Sequence, residues 1–134
     1  MPDRLTPDQR SRLMSRVRTR NTAPEVALRR GLWAAGIRGW RLHRRLPGRP
    51  DLTFGRSRVC VFVDGAFWHG HPEHYWGQSG EFWDTKIARN RARDERVNAE
   101  LSDLGWTVLR LWDFEVEQDL KGCVSRIRDA LSRA

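Results

Sequence analysis

Apolar positions along the chain change period several times, and the changes divide it into helices and strands. Thr6-Pro7-Asp8-Gln9 is a capping box with proline at the first helical position, so a helix is predicted to about Arg18. It carries Arg10, Arg12, Arg16 and Arg18 and almost no apolar stripe, which makes residues 1–20 a basic N-terminal arm. A second capping box, Thr22-Ala23-Pro24-Glu25, opens a helix that places Leu28, Leu32 and Ala35 on one face and stops at Gly36. Trp40 to His43 reads as a strand and Leu46 to Pro50 as a turn. Asp51–Phe54 and Arg58–Asp64 read as a hairpin across Gly55-Arg56-Ser57. The second of these strands is apolar on both faces, as a central strand is. A loop rich in Trp, His and Gly runs from Gly65 to about Gly80. A long helix from Phe82 to Leu104 stops at Gly105, Trp106–Leu111 is a buried strand, and a closing helix runs from about Glu115 to Arg133. Helix, three strands, helix, strand, helix predicts an α/β domain with a mixed sheet. A chain of 134 residues fits one such domain with one modest core.

Within that frame some residues are out of place. Asp51 begins a strand that is otherwise Leu-Thr-Phe, and a turn aspartate would account for it alone. Asp64, however, ends the neighbouring strand, so the hairpin brings two carboxylates to one end of the sheet. Two aspartates and the backbone carbonyl of Val63 suit a hard cation such as Mg²⁺. The long helix has an inward stripe of Ile87, Asn90, Asp94, Val97, Leu101 and Leu104. Its second half is apolar, but its first half puts Asn90 and Asp94 where core residues belong. A buried carboxylate needs a partner, either an arginine or a catalytic group that Asp94 orients. Glu25 is fully accounted for by its capping box, and a role in chemistry requires its helix to start beside the hairpin. His69 beside an acidic cluster is a candidate general base. Phe67 and Trp68 precede it directly, and Trp83 opens the long helix. Adjacent large aromatics amid basic charge suit stacking on, or insertion between, bases.

Composition sharpens this reading. Lys+Arg number 25 against 17 Asp+Glu, a formal charge of +8, which favours a polyanionic partner. Nearly all of the positive charge is arginine, the side chain suited to bidentate phosphate contacts. Hydrophobic residues are 39% of the chain, which excludes a disordered tail. Cys60 lies in an apolar run and Cys123 in a predicted helix, so both are expected to be buried thiols of a reducing compartment. With no signal peptide and no apolar stretch of membrane-spanning length, a cytoplasmic protein without a membrane partner is expected.

The segments MSRVRTRNTAPE, LPGRPD, VFVDGAFWHGHPEH, EFWDTKIARNRARDE and GWTVLRLWDFE together resemble the very-short-patch repair endonucleases, mismatch-nicking members of the PD-(D/E)xK nuclease superfamily. The likeness runs from about Met14 to Glu115, with the motifs in order. It implies a restriction-endonuclease-like mixed sheet flanked by helices, acting as a monomer on double-stranded DNA. It also implies Mg²⁺-dependent nicking 5′ of the thymine in a T:G mismatch. By the same resemblance Asp51 and the Val63 carbonyl hold the metal, His69 activates the attacking water, and Glu25 and Asp94 orient the catalytic groups. Phe67, Trp68 and Trp83 form an aromatic wedge, Met14 assists from the other groove, and Lys86 and Asn90 contact the DNA around the mismatch.

The chain departs from the family pattern at two places. Some relatives have histidine at the Asp64 position, which changes the metal set. The family usually holds a structural zinc, yet this chain has Ala66 and Phe114 where cysteines belong and no cysteine around His71 to His74. Structural zinc requires four good ligands, so the zinc is expected to be absent, with Phe114 packed against Ala66. The alternatives are a nuclease of the same fold with another DNA target, or a module that binds distorted DNA without cutting it.

Overall fold

Val59-Cys60-Val61-Phe62-Val63-Asp64 is apolar on both faces because both faces are covered. The computed structural model describes residues 22–66 and 81–134, apart from the side chain of Trp83. Over these the order is α1 (Ala23–Ala34), β1 (Trp40–Leu42), β2 (Leu52–Phe54), β3 (Val59–Asp64), α2 (Glu81–Asp103), β4 (Thr107–Trp112), α3 (Asp113–Gln118) and α4 (Leu120–Arg133). The basic arm and most of the Gly65–Gly80 loop lie outside the described residues. The sheet runs β1-β2-β3-β4. Its first three strands are antiparallel and β4 is parallel to β3, with Phe62 opposite Arg110 and Asp64 opposite Trp112. A parallel pair needs a long crossover, and α2 lies within it. The result is the expected mixed α/β sheet flanked by helices, with β3 central.

Strand alternation sorts the core into two layers. Leu52, Phe54, Val59 and Val61 pack with Leu28 and Leu32 of α1 and with Cys123, Val124 and Ile127 of α4. Cys60 and Phe62 point the other way, onto Val97 and Leu101 of α2. The Leu46–Pro50 turn is pressed against that second layer. Gly48 has φ +73, and a Cβ there would fall 2.6 Å from Val97 Cγ1, so only glycine fits between the turn and α2.

The element boundaries differ from expectation in three instructive places. β1 ends at Leu42, because His43 takes a left-handed φ of +48 that leaves the strand. The α2 stripe loses its last member: the helix ends at Asp103, Gly105 has φ +88, and Leu104 is 52% exposed. The closing helix is two helices. Asp119 breaks it with φ −143 and ψ 62, and its side chain accepts the Gly122 N–H at 3.1 Å to start α4 afresh.

Candidate active site

Asp51 sits at the end of the sheet, one residue before β2. The buried Pro50 delivers it. Its Oδ2 accepts the Val63 N–H at 2.6 Å, so the carboxylate is fixed across the end of the hairpin. Glu25 approaches from α1. Thr22 is the N-cap of that helix, but its side chain makes no capping hydrogen bond. The Glu25 carboxylate, only 5% exposed, instead lies 3.9 Å from His43 Nε2 and 3.9 Å from Arg29 Nη1. It is also hydrogen-bonded to Asp51. The helix start therefore does face the hairpin, the condition that a role for Glu25 in the site requires.

His43 closes the group. Its Nδ1 is 4.0 Å from Asp51 Oδ1, and its Nε2 is buried with no hydrogen-bond partner among the described residues. Donor atoms of Glu25, His43 and Asp51 all lie within 4.8 Å of one another. Burial pushes the Asp51 carboxyl up to about 7; the Val63 N–H works against this, and the Glu25 charge and hydrogen bond add to it. The cluster thus has one carboxyl held well above its ordinary range and a buried nitrogen without a hydrogen bond among the described residues. A divalent cation remedies both, and two carboxylates with an imidazole are donors such ions accept. The residues present fit a metal ion.

His43 was not anticipated as a site residue, since the period-two pattern ran through it as the end of a strand. The signal available was weak, a histidine shortly before the Leu-Pro-Gly-Arg-Pro-Asp turn.

The structure gathers the other predicted carboxylates differently. Asp64 does not join the Glu25–His43–Asp51 group. Its two oxygens lie 3.1 and 3.2 Å from Arg110 Nη1, which is also 3.6 Å from Asp94 Oδ1. Arg110 Nε donates to Asn98 Oδ1 at 2.8 Å, and its guanidinium lies 4.1 Å from the Phe62 ring centre. Asp94 therefore has the arginine partner that its place on the α2 stripe called for. Arg110, a charged residue within the largely apolar β4, is the sequence feature that marks this partner.

Lys86 and Asn90 line a groove of about 920 Å³ along α2, together with Arg89, Arg93 and Arg96. Trp83 stands in the first turn of that helix. Met14, Phe67, Trp68, His69, His71 and His74 lie outside the described residues. At the positions where zinc ligands would belong, the Ala66 N–H donates to Asp113 Oδ1 at 3.2 Å, and the same oxygen accepts the Phe114 N–H at 2.8 Å. Asp113 thus ties the residues after β3 to the start of α3. Cys60 and Cys123 belong to opposite core layers. Burial raises both thiols, Cys60 to about 11, which keeps them protonated and inert.

The family model described as DNA mismatch endonuclease Vsr matches residues 2–75. A type II nicking enzyme of Xanthomonas oryzae is 45% identical over 98% of this chain and 98% of its own length. One from Neisseria meningitidis serogroup C is 40% identical over 96% of this chain and 90% of its own. The DNA mismatch endonuclease Vsr of Escherichia coli is 37% identical over 78% of this chain and 69% of its own. Matched by the family model over more than half its length, and by these relatives over most of it, the chain belongs to the Vsr family of DNA mismatch endonucleases, enzymes that nick DNA.

Proposed function

We propose that the protein is a Mg²⁺-dependent endonuclease that nicks one strand of double-stranded DNA 5′ of the thymine in a T:G mismatch. It would act as a monomer in the cytoplasm. The observation that carries the reading is the Glu25–His43–Asp51 cluster at the end of the sheet, with a buried nitrogen that makes no hydrogen bond among the described residues. The mismatch specificity rests on the family and on the name of the Escherichia coli relative.

Asp51, held by the Val63 N–H, is the principal ligand. The N–H and C=O of a strand residue face the same edge, which turns the Val63 carbonyl toward Asp51 as a second ligand. Glu25 and His43 complete the protein side. When bound, the cation neutralises charge building on the scissile phosphate. His69 takes a proton from water as its oxygen attacks phosphorus in line, and the P–O3′ bond breaks, the departing O3′ taking a proton from solvent. This leaves a 5′-phosphate on the thymidine and a 3′-hydroxyl on its neighbour. Lys86, Asn90 and the arginines of the α2 groove hold the backbone, with salt-dependent affinity. Met14 and the aromatics Phe67, Trp68 and Trp83 open the stack, which costs least at a mismatch.

The test is nicking of a duplex with one T:G mismatch beside the fully paired duplex, with Mg²⁺ or EDTA, by wild type and Asp51→Asn. Cutting of only the mismatched thymine strand, dependent on Mg²⁺ and lost in Asp51→Asn, is the expected result. Equal cutting of both duplexes would discard the mismatch and keep the nuclease. Tight binding without any cutting would leave a module that recognises distorted DNA.

A further inference from the structure

We propose that Arg49, held in a strained backbone conformation two residues before Asp51, grips a phosphate of the cut DNA strand next to the scissile one. The inference rests on the reading that DNA is cleaved at Asp51, and it adds a substrate contact to that site.

Among the described residues, three other than glycine have a left-handed φ: His43 at +48, Arg49 at +49 and Arg58 at +53. Such conformations cost free energy and persist only where the surrounding structure enforces them. Two of the three serve a purpose within the chain. His43 joins Glu25 and Asp51, and Arg58 Nη1 donates to the Leu104 carbonyl at 3.3 Å. The Arg49 side chain is exposed and makes no hydrogen bond or ion pair among the described residues. Pro50 follows it, and a residue before proline favours extended backbone, so the left-handed φ is disfavoured twice over. Glycine would adopt it more readily, yet the chain has an arginine there.

The turn that imposes this conformation is fixed to the core at three points. Leu46 packs on the layer of Cys60, Phe62, Val97 and Leu101, Gly48 leaves no room for a Cβ against Val97, and Pro50 is fully buried. Pro47 and Gly48 are the central residues of a tight turn, closed by the Arg49 N–H on the Leu46 carbonyl at 2.9 Å. Between these anchors Arg45 and Arg49 are exposed. The Cα atoms of Arg49 and Asp51 are two peptide units apart, at most ~7.6 Å. A cation without a partner among the described residues is thus fixed by its backbone beside the proposed metal site. No carboxylate occurs between Glu25 and Asp51, a stretch that holds seven arginines, so no neighbour in the turn competes for the guanidinium. Its planar fork suits paired phosphate oxygens. In this reading the scissile phosphate faces the metal site at Asp51, which leaves its neighbour on the same strand for Arg49.

The test follows binding and nicking of a duplex with one T:G mismatch. Arg49→Gly removes the guanidinium and relieves the backbone, so its melting temperature should stay or rise. Binding of the uncut duplex in EDTA should weaken ~10-fold or more, and kcat/KM for nicking should fall ~10–100-fold. The slope of log affinity against log salt should become shallower by ~0.9, the share of one phosphate contact. Arg49→Lys keeps the charge and should keep the wild-type slope, with a smaller loss of nicking. An unchanged slope in Arg49→Gly would make Arg49 a turn residue only and overturn the proposal. Should Arg49→Gly not fold, Arg49→Asn decides by the same slope, because asparagine also tolerates the left-handed region. Asp51→Asn should lose nicking and keep the wild-type slope. Nicking retained in Asp51→Asn would overturn the reading of the site itself, whereas lost nicking there beside a normal Arg49→Gly would overturn only the role of Arg49.

Discussion

The same end of the sheet carries two carboxylate clusters that the fold treats in opposite ways. On the α1 side, Glu25 and Asp51 press together with His43, and the arrangement leaves Asp51 pushed up to about 7 and a buried nitrogen without a hydrogen bond among the described residues. On the α2 side, Asp64 and Asp94 share one guanidinium that is itself held by Asn98 and Phe62. The second cluster is complete within the chain. The first is stable only at a cost, and such uncompensated groups concentrate where a ligand supplies what is missing. Burial is similar in both, so the difference lies in where the counter-charge stands: among the described residues Arg110 reaches both Asp64 and Asp94, while Arg29 reaches Glu25 and is not paired with Asp51.

The comparison breaks most visibly at Asp51. Replacing it with Asn keeps an acceptor for the Val63 N–H but removes the charge that a cation needs. Nicking of the T:G duplex should fall by ~10³-fold or more, on the order of 4 kcal/mol, while the melting temperature does not fall. The mirror experiment is Arg110→Met. Removing the guanidinium that lies between Asp64 and Asp94 breaks the ion pair of the buried Asp64, and breaking such a pair costs about 3 kcal/mol. Urea denaturation should show this loss, and Asp64→Asn in the same chain should recover part of it.

Much of the fold was readable because each element carried a local signature. Gly36 and Gly105 stop helices at positive φ, the two-faced run of β3 marks it as central, and the α2 stripe puts Ile87, Val97 and Leu101 in the core. The failures share a cause as well. His43 leaves its strand and Asp119 splits the last helix through single backbone dihedrals, which residue patterns do not report. In the site, Asp51 and Asp64 were legible as a hairpin pair, but pairing rules do not say which carboxylate an arginine will claim. That choice depends on Arg110 standing opposite Phe62 across a parallel pair more than forty residues apart in sequence,.

The strained state of Asp51 makes a prediction about pH. Its folded value of about 7 lies above the ordinary 3.8 of an aspartate. Between these two values the folded chain holds a proton that the unfolded chain has lost. Its contribution to stability is therefore full below the lower value, declines as pH rises through that window, and is lost above about 7. Asp51→Asn imitates the protonated form at every pH. Without metal, the variant should melt with the wild type near the lower end of the window and above it at pH 8, by on the order of 2 kcal/mol or about 5–8 °C. Saturating Mg²⁺ should narrow the gap by stabilising only the wild type. A gap independent of pH would mean that Asp51 is not the group carrying the strain.

The smallest effect is expected at His43, and it bears on what the α1-side cluster is for. If the cluster were merely a tolerated defect, His43→Gln would be neutral or stabilising, since an amide can donate to Glu25, which the imidazole Nε2 faces only at 3.9 Å. If His43 is there to meet a cation, the same change removes a nitrogen ligand and leaves the carboxylates to bind alone. Affinity for Mn²⁺ should then fall ~10-fold, about 1.4 kcal/mol, and more than affinity for Mg²⁺, because imidazole adds more to the binding of transition metals than of magnesium. Stability without metal should be unchanged or slightly raised. Isothermal titration with the two metals separates these cases. An equal, small effect on both ions would assign His43 to orienting Glu25 and Asp51 rather than to holding the metal.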